Sequence, residues 1–106
     1  MSEYADEARV LGEIGTVFRA AELPALRVTV PAALASRAVS AWERDDEGTV
    51  PAAEDAAERG RRHRAGTLAL IGLAITERGQ VDADGNTVVD LGPELIGVAM
   101  DAADEL

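Results

Sequence analysis

The sequence predicts an α+β fold: a mostly helical small domain of about four helices with a β-hairpin and a third short strand. Three observations carry this. Apolar residues recur at helical spacing over most of the chain. Leu26-Arg27-Val28-Thr29-Val30 alternates apolar and polar side chains as a half-buried strand does. Asp84-Gly85-Asn86 sits between two further alternating runs, where a hairpin loop belongs. At 106 residues, one domain spanning 1–106 is expected, long enough to bury a hydrophobic core.

In the first segment Tyr4, Ala8, Leu11, Ile14, Phe18 and Ala21 share a helical face, with Ser2 or Asp6 available as cap and Pro24 as terminator. Gly12 and Gly15 each cost such a helix about 1 kcal/mol against Ala, so they mark either a close approach or a break. The strand from Leu26 to Val30 follows, with Arg27 and Thr29 on its polar face. Pro31 stops the strand and suits the first turn of a second helix, which runs to about Arg44 behind a stripe of Leu34, Ala35, Ala38, Val39, Ala41 and Trp42.

After the acidic turn Asp45-Asp46-Glu47-Gly48-Thr49, a third helix is expected from Pro51 to Arg78, with Gly79 as its stop. At ~1.5 Å per residue that is about 42 Å, long for so small a chain, and a bend near Gly60 or Gly66 is expected. Ala53, Ala56, Ala57 and Gly60 form a small stripe that would admit another backbone. Past Gly66 the helix is apolar on nearly every side, which predicts a central position with Leu68, Leu70, Ile71, Leu73 and Ile75 buried. Gln80 to Leu91 forms the hairpin, with Val81, Ala83, Thr87, Val89 and Leu91 on one face. Gly92-Pro93 opens a last helix that turns Leu95, Ile96, Ala99, Ala102 and Leu106 inward. Asp101, Asp104 and Glu105 stand at its negative dipole end, where fraying is expected.

Composition narrows the function classes. Twenty acidic residues against ten basic ones, every one of them Arg, give a net charge of -10, so the average surface repels nucleic acid and anionic membrane. The absence of cysteine excludes disulfides and thiolate chemistry and is compatible with a cytoplasmic location. The first residues, Met-Ser-Glu-Tyr-Ala-Asp-Glu, are acidic where an export signal would be basic.

One segment breaks the acidic average: Arg59-Gly60-Arg61-Arg62-His63-Arg64, running directly into the apolar stretch from Ala65 to Ile75. That stretch is shorter than the ~20 apolar residues a membrane span needs. Charge and apolarity are segregated along the helix axis, whereas an interfacial helix segregates them around it, so no membrane partner is expected. Arg59, Arg61, Arg62 and Arg64 are the candidate partner-binding residues. Asp55 to Arg59 and Glu58 to Arg62 are i,i+4 pairs, worth ~0.2–0.5 kcal/mol each on a helix. Arg61 and Arg64 have no partner at local spacing. The cluster is read first as a solvated, internally paired helix face and, failing that, as a site for an acidic protein ahead of nucleic acid.

Catalytic and metal-binding patterns are weak. His63 is the sole histidine, Ser36 and Ser40 lie in no nucleophile motif, and no Gly-rich phosphate loop occurs. Asp82-Ala83-Asp84-Gly85-Asn86 has the alternating carboxylates of a calcium loop. With Gly85 in the sixth position, however, Gln80 and Leu91 occupy the first and twelfth, where carboxylates are required. No catalytic residue, metal or cofactor is therefore expected, and the chain is read as a non-enzyme.

The segment Leu26-Arg27-Val28-Thr29-Val30-Pro31-Ala32-Ala33-Leu34 through Trp42 resembles the start of a ribbon-helix-helix protein, in which a strand pairs with its dimer mate and sends side chains into a DNA groove. The resemblance covers under a fifth of the chain. It implies Arg27 and Thr29 as base-reading positions and the following helix as dimer core. The helix before the strand, the acidic turn at Asp45 and the later hairpin depart from that pattern. The leading expectation is thus a small acidic, non-enzymatic protein-interaction module, an adaptor, accessory or regulatory subunit, self-associating through its Ala/Gly-rich helix faces. A small dimeric DNA-binding regulator built on 26–44 is the alternative, and an acidic phosphate mimic of nucleic acid a third reading.

Overall fold

A computed structural model describes residues 5–21, 27–45 and 55–106. The elements follow in the order α1 (Ala5–Ala20), β1 (Arg27–Val30), α2 (Ala32–Arg44), α3 (Ala56–Arg78), β2 (Gln80–Val81), β3 (Thr87–Asp90) and α4 (Pro93–Ala103). This is the expected mostly helical α+β arrangement. The expectations placed on Ser2, Tyr4, Pro24, Leu26, the acidic turn beyond Asp45, Pro51 and Ala53 lie outside the described residues.

Local chemistry sets the helix ends. Pro31 stands just before α2, and Pro93 occupies the first turn of α4 behind Gly92, where a missing N–H costs nothing. The Asp55 carboxylate caps α3 by accepting the Glu58 N–H at 2.7 Å. The helix therefore begins at Ala56, later than the Pro51 start expected. It runs as one uninterrupted 23-residue helix to Arg78, with no break at Gly60 or Gly66, and Gly79 follows it as anticipated. At ~1.5 Å per residue it is about 34 Å long, which fits the molecule's 43 Å long axis.

The three strands form one antiparallel sheet in the order β1-β3-β2. β1 pairs with β3 through Val28 opposite Val89 and Val30 opposite Thr87, so these four side chains share the buried face. Arg27, Thr29 and Asp90 share the exposed one. The hairpin loop closes around Asp82, whose Oδ1 accepts the N–H groups of Asp84 at 2.9 Å and Asn86 at 3.0 Å. Gly85 supplies the positive φ of 85°. Val81 and Ala83, expected on one face with Thr87, Val89 and Leu91, are exposed where those three are buried. Val81 lies opposite Thr87 on the inward side, but β2 is an edge strand and Val81 is 73% exposed.

Helices α1 and α3 pack on the sheet, α2 and α4 pack on those helices, and one core is built from Leu11, Ile14, Phe18, Val30, Leu68, Ile71, Val89 and Leu91 among others. Two helix pairs approach at glycines. A Cβ on Gly15 of α1 would lie 1.8 Å from the Ala99 carbonyl oxygen of α4, and one on Gly72 of α3 would lie 2.0 Å from the Ala38 carbonyl oxygen of α2. Gly12 and Gly15 thus mark a close approach and not a break. By contrast Gly60 faces no other backbone: nothing lies within 4 Å of its Cβ position, and Ala56 and Ala57 are exposed.

Burial on α3 corrects one expectation. Leu68 and Ile71 are fully inside, but Leu70 is 49% exposed and Leu73 and Ile75 are only partly covered. The helix packs against α1, α2, α4 and β3, and one side of it has no cover from these elements. Leu106, also expected inside, is 64% exposed.

Candidate functional site

The arginine cluster occupies the first half of α3, and most of it is engaged within the chain. The Asp55 carboxylate serves as the helix cap, and the expected Asp55–Arg59 pair does not form. Arg59 is exposed and has no ion-pair partner among the described residues. Glu58 instead serves two guanidinium groups: Arg62 through the anticipated i,i+4 spacing at 3.1 Å, and Arg61 through i,i+3 at 3.0 Å.

Arg64 also has a partner. Both of its terminal nitrogens donate to the Glu105 carboxylate just past α4. That hydrogen bonding, more than the Coulomb attraction, holds the Glu105 carboxyl below the ordinary Glu range and raises the Arg64 pKa further. Arg19 of α1 holds the neighbouring Asp104 at 2.9 Å. The acidic end of α4, expected to fray, is therefore clamped by cations from two other helices. The separation of 41 residues between Arg64 and Glu105 explains why local spacing gave no sign of the pair.

The residues implied by the ribbon-helix-helix resemblance are placed as follows. β1 takes β3 of its own chain as antiparallel partner. Arg27 Nε donates to Asp90 Oδ1 at 3.0 Å, and this hydrogen bond lowers the Asp90 pKa. Thr29 is exposed on the same outward face. His63 is exposed on α3, and among the described residues no cluster of His, Cys, Asp and Glu could hold a metal ion. No described helix is long and apolar enough to cross a membrane.

Two surface features were not apparent in the sequence. An open cleft of about 340 Å³ lies between α1, α2 and α3, lined by Asp6, Glu7, Val10, Arg37, Arg44 and Leu68. Arg44 is bonded there to Glu7 at 3.0 Å. The second feature is the uncovered side of α3. At 100° per residue, Arg59, His63, Gly66, Leu70, Leu73 and Glu77 fall within one narrow stripe, spaced 4-3-4-3-4 as in a coiled-coil seam. Arg59, His63, Leu70 and Glu77 are exposed, and Gly66 and Leu73 between them are partly buried. The signal was present as that spacing, but it was masked by the apolar residues on every other side of the helix.

No protein-family model, curated protein or solved structure matches the chain.

Proposed function

We propose that the chain is a non-enzymatic protein-interaction module, an adaptor, accessory or regulatory subunit that works through the outer face of α3. The half-exposed Leu70 is the observation that carries this reading. A leucine left half in solvent forgoes about half of the ~1.5–3 kcal/mol that full burial would contribute, and here Leu73 adjoins it on the same side of the helix. Engagement of the guanidinium groups of Arg61, Arg62 and Arg64 by Glu58 and Glu105 supports the same reading, because it leaves fewer cations for phosphate. Arg59 and His63 remain at the end of the stripe as the polar part of the surface.

Affinity capture at two salt concentrations tests this against the nucleic-acid readings. Immobilised wild-type chain is expected to retain a protein partner that resists about 0.5 M NaCl, since apolar contacts are not screened, and Leu70→Glu is expected to lose it. Fluorescence anisotropy with random-sequence DNA is expected to show no binding at low salt. A steeply salt-dependent DNA affinity that Arg27→Ala weakens would instead favour the DNA-binding regulator. A partner eluted fully by salt and indifferent to Leu70→Glu would favour the phosphate mimic.

A further inference from the structure

The order of residues along the exposed seam of α3 points to a specific occupant. From its N-terminal end the seam reads Arg59, His63, Gly66, Leu70, Leu73, Glu77: a cation at one end, a carboxylate at the other, and leucines beside a glycine between them. Arg59 has no ion-pair partner among the described residues, and Glu77 has only an exposed contact to Arg78 at 3.9 Å. The Cβ position of Gly66 is open, with no atom within 4 Å.

We infer that this seam pairs with the same seam on a second copy of the chain, antiparallel, about a two-fold axis level with the midpoint between Gly66 and Leu70. The inference rests on the interaction-module reading and names its partner. Antiparallel helices meet in reverse order, so Arg59 faces the partner's Glu77, His63 faces the partner's Leu73, and Gly66 faces the partner's Leu70; the two-fold repeats each contact. Opposite charges then meet at both ends, where each would otherwise stand in solvent. Each central leucine enters the space that the glycine of the other helix leaves open, as a knob enters a hole. His63 lays the apolar body of its ring against leucine and keeps its polar tip at the rim.

The parallel arrangement lacks this match. It would set Arg59 on Arg59, Glu77 on Glu77 and Gly66 on Gly66, placing like charges together and leaving a gap at the centre. An isologous two-fold contact also closes on itself, so the assembly stops at two chains. The seam spans about 27 Å at ~1.5 Å per residue, short for a coiled coil, which places the dimer among the weak, concentration-dependent ones.

Sedimentation equilibrium over about 10 to 500 µM chain tests the inference. The wild type is expected to rise with concentration from the monomer mass of 11.1 kDa toward twice that value. Leu70→Glu is expected to stay at the monomer mass. Arg59→Glu and Glu77→Arg, each of which brings like charges together, are expected to weaken the dimer, and the double substitution Arg59→Glu/Glu77→Arg to restore it. Far-UV circular dichroism checks that each variant remains folded. If Leu70→Glu fails to fold, the charge exchange at the two exposed ends still decides the matter. A wild type that remains monomeric throughout overturns the inference. So does a dimer indifferent to these substitutions, or a double variant no better than the single ones. A monomeric wild type that still captures a salt-resistant protein partner lost in Leu70→Glu removes the second copy while leaving the interaction module standing; loss of both removes the two together.

Discussion

Glu105 shows how a single residue ties distant parts of the chain together. α4 ends among Asp101, Asp104 and Glu105 with no basic residue in its last turn, at the pole where a helix disfavours negative charge. Arg64 from α3 and Arg19 from α1 offset that charge. Hydrogen bonding from Arg64 lowers the folded-state pKa of Glu105. Between the lowered value and the ordinary Glu value of about 4.3, the unfolded chain binds more protons than the folded one, so stability rises with pH across that window. The contribution is complete above the ordinary value and is lost as pH falls through the folded one. Glu105→Gln is therefore expected to melt below the wild type at pH 7, with the gap narrowing through pH 4 and closing in stronger acid. Melting curves followed by circular dichroism at several pH values check this, and a gap of unchanged size at the acid end would refute it. Both partners are solvent-accessible, so the gap is expected to be small and to shrink with salt.

At the scale of elements, α3 uses its glycines in opposite ways. Gly72 lets α2 approach until a Cβ would stand 2.0 Å from the Ala38 carbonyl oxygen, so Gly72→Ala must push two helix backbones apart. Overpacking of that kind costs ~1–3 kcal/mol, while replacing a helical Gly by Ala returns ~1 kcal/mol of propensity. The net expectation is destabilisation of up to about 2 kcal/mol. Gly60 has open space around it, so Gly60→Ala should keep the propensity gain and stabilise by up to about 1 kcal/mol. Urea unfolding of the two variants checks the pair of opposite signs, and equal signs would sink the packing argument. The same helix shows what the sequence made legible. Its C-terminal stop at Gly79 and the burial of Leu68 and Ile71 followed from local signals and periodicity. The exposure of Leu70 did not, because an all-round apolar helix does not reveal which of its sides lacks a cover. Nor could spacing reveal that Arg64 meets Glu105, since that contact exists only once α4 has docked.

For the molecule as a whole, the balance of charge sets a further expectation. Twenty carboxylates face ten guanidinium groups, so even complete pairing would leave half of the acids without an Arg, gathered on a body with a radius of gyration of 13.1 Å. Several of the ion pairs are short: Arg27 with Asp90, Arg44 with Glu7, and Arg61 with Glu58 are each at 3.0 Å. Salt acts unequally on these two populations. The Debye length is ~10 Å at 0.1 M and ~3 Å at 1 M. Moderate salt therefore screens repulsion between carboxylates on opposite sides of a molecule 27 Å across its middle axis, while contacts near 3 Å keep most of their attraction. The exposed pairs are also individually weak, ~0–1 kcal/mol each, so their partial loss does not offset the relief of repulsion from ten excess charges. The melting temperature at pH 7 is accordingly expected to rise between about 10 mM and 0.5 M NaCl. Sodium chloride is the appropriate salt, because sulfate would strengthen apolar burial on its own account. A melting temperature that falls over this range would mean that the short ion pairs outweigh the repulsion. The clamp of Arg19 and Arg64 on the end of α4 would then contribute far more to the fold than its exposure suggests.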